Sequence, residues 1–470
     1  MAHIRVFKHY LHLPFVMLGL LESIAYIAAV YLAVEVRFSL ADLASVHNFE
    51  KVLPSALVYS YTMLLCMNAM GVYQAKIKEG NTGMLLRTIV AFIIGSAIYP
   101  FFYYLSSDTF GVLWRSVLLL ATGFSLVLVV LVRTCFYTFV DDNLFKRKVI
   151  IFGAGVKAKA LFNSFQTEDD KKGFVVQGFC AIDDETVHVD SQLVINYKYG
   201  LKNLVTSMGI DEVVIAVDDR RKKLPMDELM DCKMDGIEIT DGAKFFERET
   251  RKVSLDMISP SWFIFSEGFN LSSASAWLKR GFDILVSLVV LSLTWPFMLI
   301  TAIAIKWEDG WKHPIFYKQT RIGLNGLPFD VIKFRSMIVD AEKEGKAIWA
   351  SKNDARITRV GNIIRKYRID ELPQIFNVLM GSMAFVGPRP ERPTFVAQLS
   401  QKIPYYDERH RVKPGITGWA QLCFAYADSE EDSQEKLRYD LYYIKNQSLM
   451  LDALIILQTL EVVLFKKGAH

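Results

Sequence analysis

Four long apolar stretches fill the first third of the chain, at about 14–36, 53–75, 84–105 and 112–139. Each is close to the roughly 20 residues an α-helix needs to cross a bilayer core of ~30 Å, so this part of the chain folds in lipid. Glu22 in the first stretch and Arg115 in the fourth are then expected to face other helices or the interface. Composition agrees with a membrane part. Of 470 residues, 52% are hydrophobic and 22% charged, which excludes a disordered chain and argues against an ordinary soluble enzyme. A net charge of +4 is too slight for a nucleic-acid binder. Cys66, Cys135, Cys180, Cys232 and Cys423 form no CxxC pair, so neither a disulfide framework nor a zinc site is expected.

Loop charges orient the bundle. Arg5 and Lys8 precede the first stretch, Lys76, Lys78 and Arg87 sit with Glu79 around the second loop, and Lys146-Arg147-Lys148 follow the fourth stretch. The first loop (Asp42, Glu50, Lys51) and the third (Asp108) are poor in basic residues. The positive-inside rule puts both ends of the bundle in the cytoplasm. The first apolar run is long and lacks a small-residue cleavage site, which argues against a cleaved signal peptide. No ionisable cluster is evident in the stretches, so residues 1–145 read as a four-helix anchor.

Residues 146–250 change character. Val149 to Phe152 form a short apolar run, followed by Gly153-Ala154-Gly155 and a helical pattern to Phe165. Further strands are expected at 174–180, 211–217 and 236–240, an alternation that predicts a parallel sheet flanked by helices, a Rossmann-like domain. The glycines read GxGxxA, ending at Ala158, in a strand-turn-helix context suited to pyrophosphate. Against nucleotide binding, Asp183 and Asp184 lie about 30 residues on rather than about 20, and no Tyr-x-x-x-Lys pair follows. A structural role is the alternative.

After a linker at 251–276, a fifth apolar stretch runs over 281–305, with Trp295-Pro296 near its middle. Proline removes a backbone hydrogen bond and crowds the preceding turn, so a bend is expected there. A kinked spanning helix is one reading. Basic flanks at both ends, Lys279-Arg280 and Lys306, favour the other, a re-entrant helix that dips into one leaflet.

Charged, Gly and Pro signals are dense from Lys333 to Gln421. Between Arg356 and Arg392 lie seven basic residues and only three acidic ones, Asp370, Glu371 and Glu391. Adjacent carboxylates in a basic segment suit a polyanion site, and the arginine fork suits phosphate. An ionised Asp can attack phosphorus, and a neighbouring carboxylate can hold Mg²⁺. The blander reading of Asp370-Glu371 is a helix N-cap, and that of Pro388-Arg389-Pro390 a rigid surface turn. Arg365, Lys366 and Arg368 could instead meet lipid headgroups.

Over about 277–470 the chain resembles the polyprenol-phosphate sugar-1-phosphate transferases, the monotopic phosphoglycosyl transferases. The resemblance runs through Lys279-Arg280-x-x-Asp283, Lys333-Phe334-Arg335-Ser336-Met337, Asp370-Glu371-Leu372-Pro373-Gln374, Gly387-Pro388-Arg389-Pro390, Pro414 to Gln421 and Tyr439 to Asn446. The bundle and Rossmann-like domain look like the large members, which build exopolysaccharide, capsule or O-antigen. The resemblance implies a membrane helical bundle, an α/β Rossmann-like domain and an α/β transferase domain with a re-entrant helix. It further implies transfer of a sugar 1-phosphate from a UDP-sugar to polyprenol (undecaprenyl) phosphate, with release of UMP. Asp370 is implied as the nucleophile and Glu371 as its partner, in metal binding or proton handling. Arg365 and Arg389 fit the phosphate-binding arginines, with Lys333 and Arg335 as further contacts. Mg²⁺, or Mn²⁺ in its place, would sit at Asp370 and Glu371, and no nicotinamide cofactor is required. The setting implied is a bacterial inner membrane with the catalytic domain on the cytoplasmic face, and a homodimer is compatible with it. The family's membrane break is often Ser-Pro; here it is Trp295-Pro296. Two rivals stand beside this expectation: an oxidoreductase acting on nucleotide sugars through 147–250, and a scaffold without catalysis.

Overall fold

The computed structural model describes residues 3–6, 9–39, 49–70, 72–73, 81–105, 115–139, 146–165, 173–182, 186–195, 200–218, 224–258, 260–266, 268–269, 272–338, 356–424 and 429–465. Lys8, Asp42, Lys76, Lys78, Glu79, Asp108, Asp183 and Asp184 lie outside the described residues. The chain divides into two compact units, Met1–Thr250 and Arg251–His470.

The first unit opens with a short antiparallel hairpin, β1 (His3–Val6) and β2 (His9–His12). Four helices follow: α1 (Leu13–Ser39), α2 (Phe49–Ala69), α3 (Asn81–Leu105) and α4 (Arg115–Phe139). Windows in α1, α2 and α4 are long and apolar enough to cross a bilayer, and α3 carries a shorter apolar stretch, Arg87–Pro100. Their inner faces meet through aromatic edges, Tyr26 on Tyr59 and Tyr59 on Tyr99. Here the structure corrects the sequence expectation that the bundle lacks an ionisable cluster. Glu22 of α1 is fully buried and accepts from Arg133 Nε of α4 at 2.6 Å and from the Tyr73 hydroxyl at 2.5 Å. Arg133 Nη1 also donates to Thr88 of α3 at 2.6 Å. The pair lies 111 residues apart in sequence, so no local pattern reveals it. Burying either charge alone would be costly; paired and hydrogen-bonded, they fix which faces of α1, α3 and α4 meet.

The same unit carries a five-stranded parallel sheet. Its elements are β3 (Arg147–Phe152), α5 (Val156–Asn163), β4 (Phe174–Cys180), β5 (Val194–Ile195), α6 (Leu201–Met208), β6 (Glu212–Ile215), α7 (Met226–Met234), β7 (Glu238–Asp241) and α8 (Gly242–Thr250). The strand order is β5-β4-β3-β6-β7, with every neighbouring pair parallel. Gly153 ends β3 with φ +121°, and a Cβ there would meet the Ala216 carbonyl oxygen at 2.6 Å. Only glycine lets the two strand ends approach so closely.

In the second unit, α9 (Pro260–Phe265) precedes a 37-residue helix, α10 (Ser273–Asp309). It begins inside the expected linker, with Ser272 Oγ capping the Ser275 N–H. Pro296 lies within it and the helix runs through Trp295-Pro296 without interruption, so the proline does not end the helix. Beyond it come the antiparallel hairpin β8 (Phe316–Ile322) and β9 (Pro328–Phe334), α11 (Arg359–Lys366), a 3₁₀ turn (Ile369–Glu371) and α12 (Gln374–Met380). Next are β10 (Ala384–Val386), α13 (Pro393–Lys402), a second 3₁₀ turn (Tyr406–Arg411), β11 (Gly415–Thr417), α14 (Trp419–Cys423), α15 (Glu430–Lys445) and α16 (Leu449–Phe465). β10 and β11 pair in parallel so closely that a Cβ on Gly415 would lie 2.1 Å from the Gly387 nitrogen. That crossing explains the glycines of two of the sequence motifs.

Two apolar cores position the site. One gathers Val386, Trp419, Leu441, Tyr442, Leu451 and Ile455. The other joins α10 to the site itself: Met298 and Ile305 cluster with Phe334 and Ile364, and Ile369, Leu372 and Phe376 pack against them.

Candidate active site

A 3₁₀ turn has three residues per turn, so positions i and i+3 fall on one side. Ile369 and Leu372 occupy that side and pack on the α10 cluster, which turns Asp370 and Glu371 away from it. Arg368, immediately before, adopts the left-handed conformation (φ 54°, ψ 23°) that reverses the chain between α11 and the turn. Neither the turn nor α12 has a side-chain cap hydrogen bond, so the carboxylates do not serve as an N-cap. Asn377 fixes the next element: its Oδ1 accepts from the Ile332 N–H at 2.9 Å and its Nδ2 donates to the Asp330 carbonyl at 2.8 Å. This satisfies the open edge of β9 and brings Lys333 to the dyad.

The two carboxylates have different surroundings. Glu371 Oε1 accepts from Lys333 Nζ at 3.1 Å and from Arg389 Nη2 at 2.8 Å, and Arg368 lies 3.7 Å from Oε2. Burial pushes the Glu371 carboxyl up, but Arg389 and then Lys333 outweigh it and hold the group well below the usual carboxylate range. Asp370 has no hydrogen bond or ion pair among the described residues. Burial, and then the Glu371 charge, push its carboxyl up to about 6 against the pull of Lys333, Arg365 and Arg389. The site therefore holds one permanently ionised carboxylate beside one that titrates near neutrality, with cations around both.

Of the residues singled out by sequence, Asp370, Glu371, Lys333 and Arg389 converge. Arg365, in the last turn of α11, is near enough for its charge to act on Asp370. Arg335 is engaged elsewhere: it is buried, Nη2 binds Asp309 at the end of α10 at 2.7 Å, and Nε and Nη1 have no partner among the described residues. Trp295 is exposed on α10 and Pro296 half-buried, neither within the dyad's contacts. Sequence reasoning missed Asn377, whose only signal is an amide on the buried face of an amphipathic helix.

The dyad fits Mg²⁺, which is commonly held by one or two carboxylates with water and substrate phosphate completing the shell. No group of three or more His, Cys, Asp or Glu is arranged for a metal among the described residues, so any ion here depends on such outside ligands.

The glycine turn of the parallel sheet is occupied by the protein itself. The Val156 and Lys157 N–H groups at the start of α5 donate to the Asp218 carboxylate at 2.9 and 2.8 Å, and Lys157 Nζ donates to the Asp218 carbonyl at 2.9 Å. A pyrophosphate would need those same donors and would be repelled by that carboxylate.

The chain thus combines apolar helices long enough to cross a bilayer, an α/β unit with a parallel sheet, and a carboxylate pair set among cations. Residues 274–466 match the family described as bacterial sugar transferase. The UDP-glucose:undecaprenyl-phosphate glucose-1-phosphate transferase of Klebsiella pneumoniae is 34% identical over 332 residues, covering 69% of each chain. The UDP-N-acetylgalactosamine-undecaprenyl-phosphate N-acetylgalactosaminephosphotransferase of Aeromonas hydrophila is 48% identical over 195 residues, 42% of this chain and 45% of that protein. An exopolysaccharide production protein of Rhizobium leguminosarum bv. phaseoli is 40% identical over 187 residues, 39% of this chain and 92% of that protein. The chain thus spans less than half the length of the Aeromonas relative. It belongs to the bacterial sugar transferase family.

The raised Asp370 pKa has a consequence for stability. A carboxyl whose folded value lies above the ordinary one of about 4 favours folding only while protonated; that contribution is lost as pH rises through about 6. Asp370→Asn, which mimics the protonated form, is therefore expected to raise the thermal midpoint at pH 8 and leave it unchanged near pH 4. Thermal melts at the two pH values check this, and an unchanged or lowered midpoint at pH 8 contradicts it.

Proposed function

We propose that this chain transfers a sugar 1-phosphate from a UDP-sugar to polyprenol phosphate at the cytoplasmic face of a bacterial inner membrane, as an early step of surface-polysaccharide synthesis. The observation that carries the proposal is the unpartnered Asp370 carboxylate beside Glu371, which Lys333 and Arg389 keep ionised. The names of the Aeromonas and Klebsiella relatives differ in the sugar and share both UDP and undecaprenyl phosphate.

In the first step an Asp370 carboxylate oxygen bonds to the β-phosphorus of the donor. The bond from that phosphorus to the bridging oxygen breaks, and its electron pair leaves with UMP. In the second step a phosphate oxygen of the polyprenol acceptor bonds to the same phosphorus, and Asp370 departs as a carboxylate. Lys333, Arg365 and Arg389 gather the diphosphate charge, Glu371 orders Lys333 and Arg389, and Asp370 and Glu371 would be the residues that hold a metal ion. Mg²⁺ bound there would neutralise the diphosphate and the departing group. Because Asp370 must be ionised, turnover is expected to fall as pH drops below about 6.

Support for a re-entrant α10 comes from both its ends, which are tied to polar groups of the same unit. Near the start, Lys279 binds Asp452 at 2.7 Å, Arg280 donates to the Val378 and Leu379 carbonyls, and Asp283 accepts from the Phe385 N–H. Near the end, Glu308 accepts from the Arg359 and Val360 N–H groups and Asp309 binds Arg335. A straight crossing would put these two polar sets on opposite sides of a ~30 Å core. Between them Leu285, Leu293, Phe297 and Ile300 are exposed, a surface suited to lipid. The parallel sheet with its glycine turn is read as a Rossmann-like module with a structural role, because Asp218 fills the anion position.

Two experiments test this. Purified enzyme given a panel of UDP-sugars and polyprenol phosphate should release UMP without nicotinamide, and Asp370→Asn should release none. Near-normal release by that variant removes the covalent route, and a nicotinamide requirement favours the oxidoreductase. For topology, cysteines replacing Trp277 and Lys312, on a background lacking Cys135 and Cys423, should both react with an impermeant maleimide only from the cytoplasmic side. Labelling of position 312 from outside alone overturns the re-entrant helix.

A further inference from the structure

Arg389 serves the dyad only while its loop holds still, and the structure shows what holds it. Its side chain donates to Glu371, while its own carbonyl accepts from Arg409 Nη2 at 3.0 Å. The same Arg409 nitrogen donates to Asp440 Oδ2 at 2.8 Å, and Nη1 donates to the Tyr406 hydroxyl at 2.6 Å. Arg409 and Asp440 are both buried, 6% and 2% exposed, and come from different elements, the second 3₁₀ turn and α15. A guanidinium with three such partners has one orientation, because its fork is planar and its donors fixed. From the other side of the loop, Arg321 Nη1 donates to the Pro390 carbonyl at 3.2 Å.

We propose that Arg409, fixed by Asp440 and Tyr406, is a positioning residue that sets Arg389 against Glu371 and the donor's phosphates. This rests on the transfer reaction proposed above. It gives a task to Asp440, which sits in the Tyr439–Asn446 motif and has none in the chemistry itself. Arg409 reaches residue 389 through its main-chain carbonyl, so the route by which it acts on the dyad is the placing of Arg389. Lysine in its place keeps the charge opposite Asp440 but cannot hold three partners at fixed angles.

The test is a double-mutant cycle on the full-length enzyme in detergent or nanodiscs, following donor-dependent UMP release and labelled phosphosugar on the protein in single turnover. Arg409→Lys is expected to slow the step about tenfold to a hundredfold, the range typical of groups that orient a contacting residue, with donor KM changed less than kcat. In an Arg389→Met background, followed over hours, the same substitution should cost less than about twofold, because the residue it positions is gone. Full additivity in that background, or a wild-type rate in folded Arg409→Lys, overturns the proposal. Should Arg409→Lys not accumulate as folded protein, Asp440→Asn is put through the same cycle with the same two outcomes. Wild-type enzyme that releases no UMP from any UDP-sugar would instead refute the reaction, a failure distinct from additivity.

Discussion

Glu371 held between Lys333 and Arg389 is the contact on which the rest of the site depends. It joins β9, the dyad turn and the loop after β10. It also gives the two carboxylates different surroundings. With two cations on one oxygen, Glu371 stays charged, and burial together with that charge raises the Asp370 carboxyl to about 6. Two adjacent acids thus acquire separate properties from their surroundings, as the proposed roles of nucleophile and permanent anion require.

The membrane helix belongs to this arrangement rather than merely tethering it. Ile369 and Leu372 pack on the cluster of Met298 and Ile305, so the turn bearing the dyad rests on α10. Arg280 covers the last carbonyls of α12, and Glu308 covers the first N–H groups of α11. Both helices that flank the dyad are therefore capped by side chains from the apolar element. The proposed transfer between a soluble nucleotide sugar and a lipid phosphate would need its nucleophile at a fixed depth near the interface, and the packing of the dyad turn on α10 is compatible with that.

Much of this was legible in the sequence. Apolar length marked the helices, alternation with glycine marked the parallel sheet, and charge density marked Lys333 to Gln421, where Lys333, Asp370, Glu371 and Arg389 come together. Long-range pairing was not legible. Glu22 and Arg133 look like isolated polar residues in separate helices and form one buried pair. Gly153-Ala154-Gly155 has a dinucleotide-like spacing, yet Asp218, at the end of a different strand, takes the donors. Lys333 and Arg335 are two positions apart and looked equivalent; one meets Glu371 and the other Asp309. Asp370-Glu371 before a helix also fits a cap, and only the missing cap hydrogen bonds separate the two readings.

The central claim is that the carboxyl of residue 370 takes up the sugar phosphate. Its most direct measurement is peptide mapping by mass spectrometry after the enzyme meets a turned-over UDP-sugar without acceptor and is quenched. The account predicts a phosphosugar mass on the peptide holding Asp370, at that residue, discharged when polyprenol phosphate is added before the quench. An unmodified Asp370 under conditions of proven turnover, or the added mass on another residue, would contradict it.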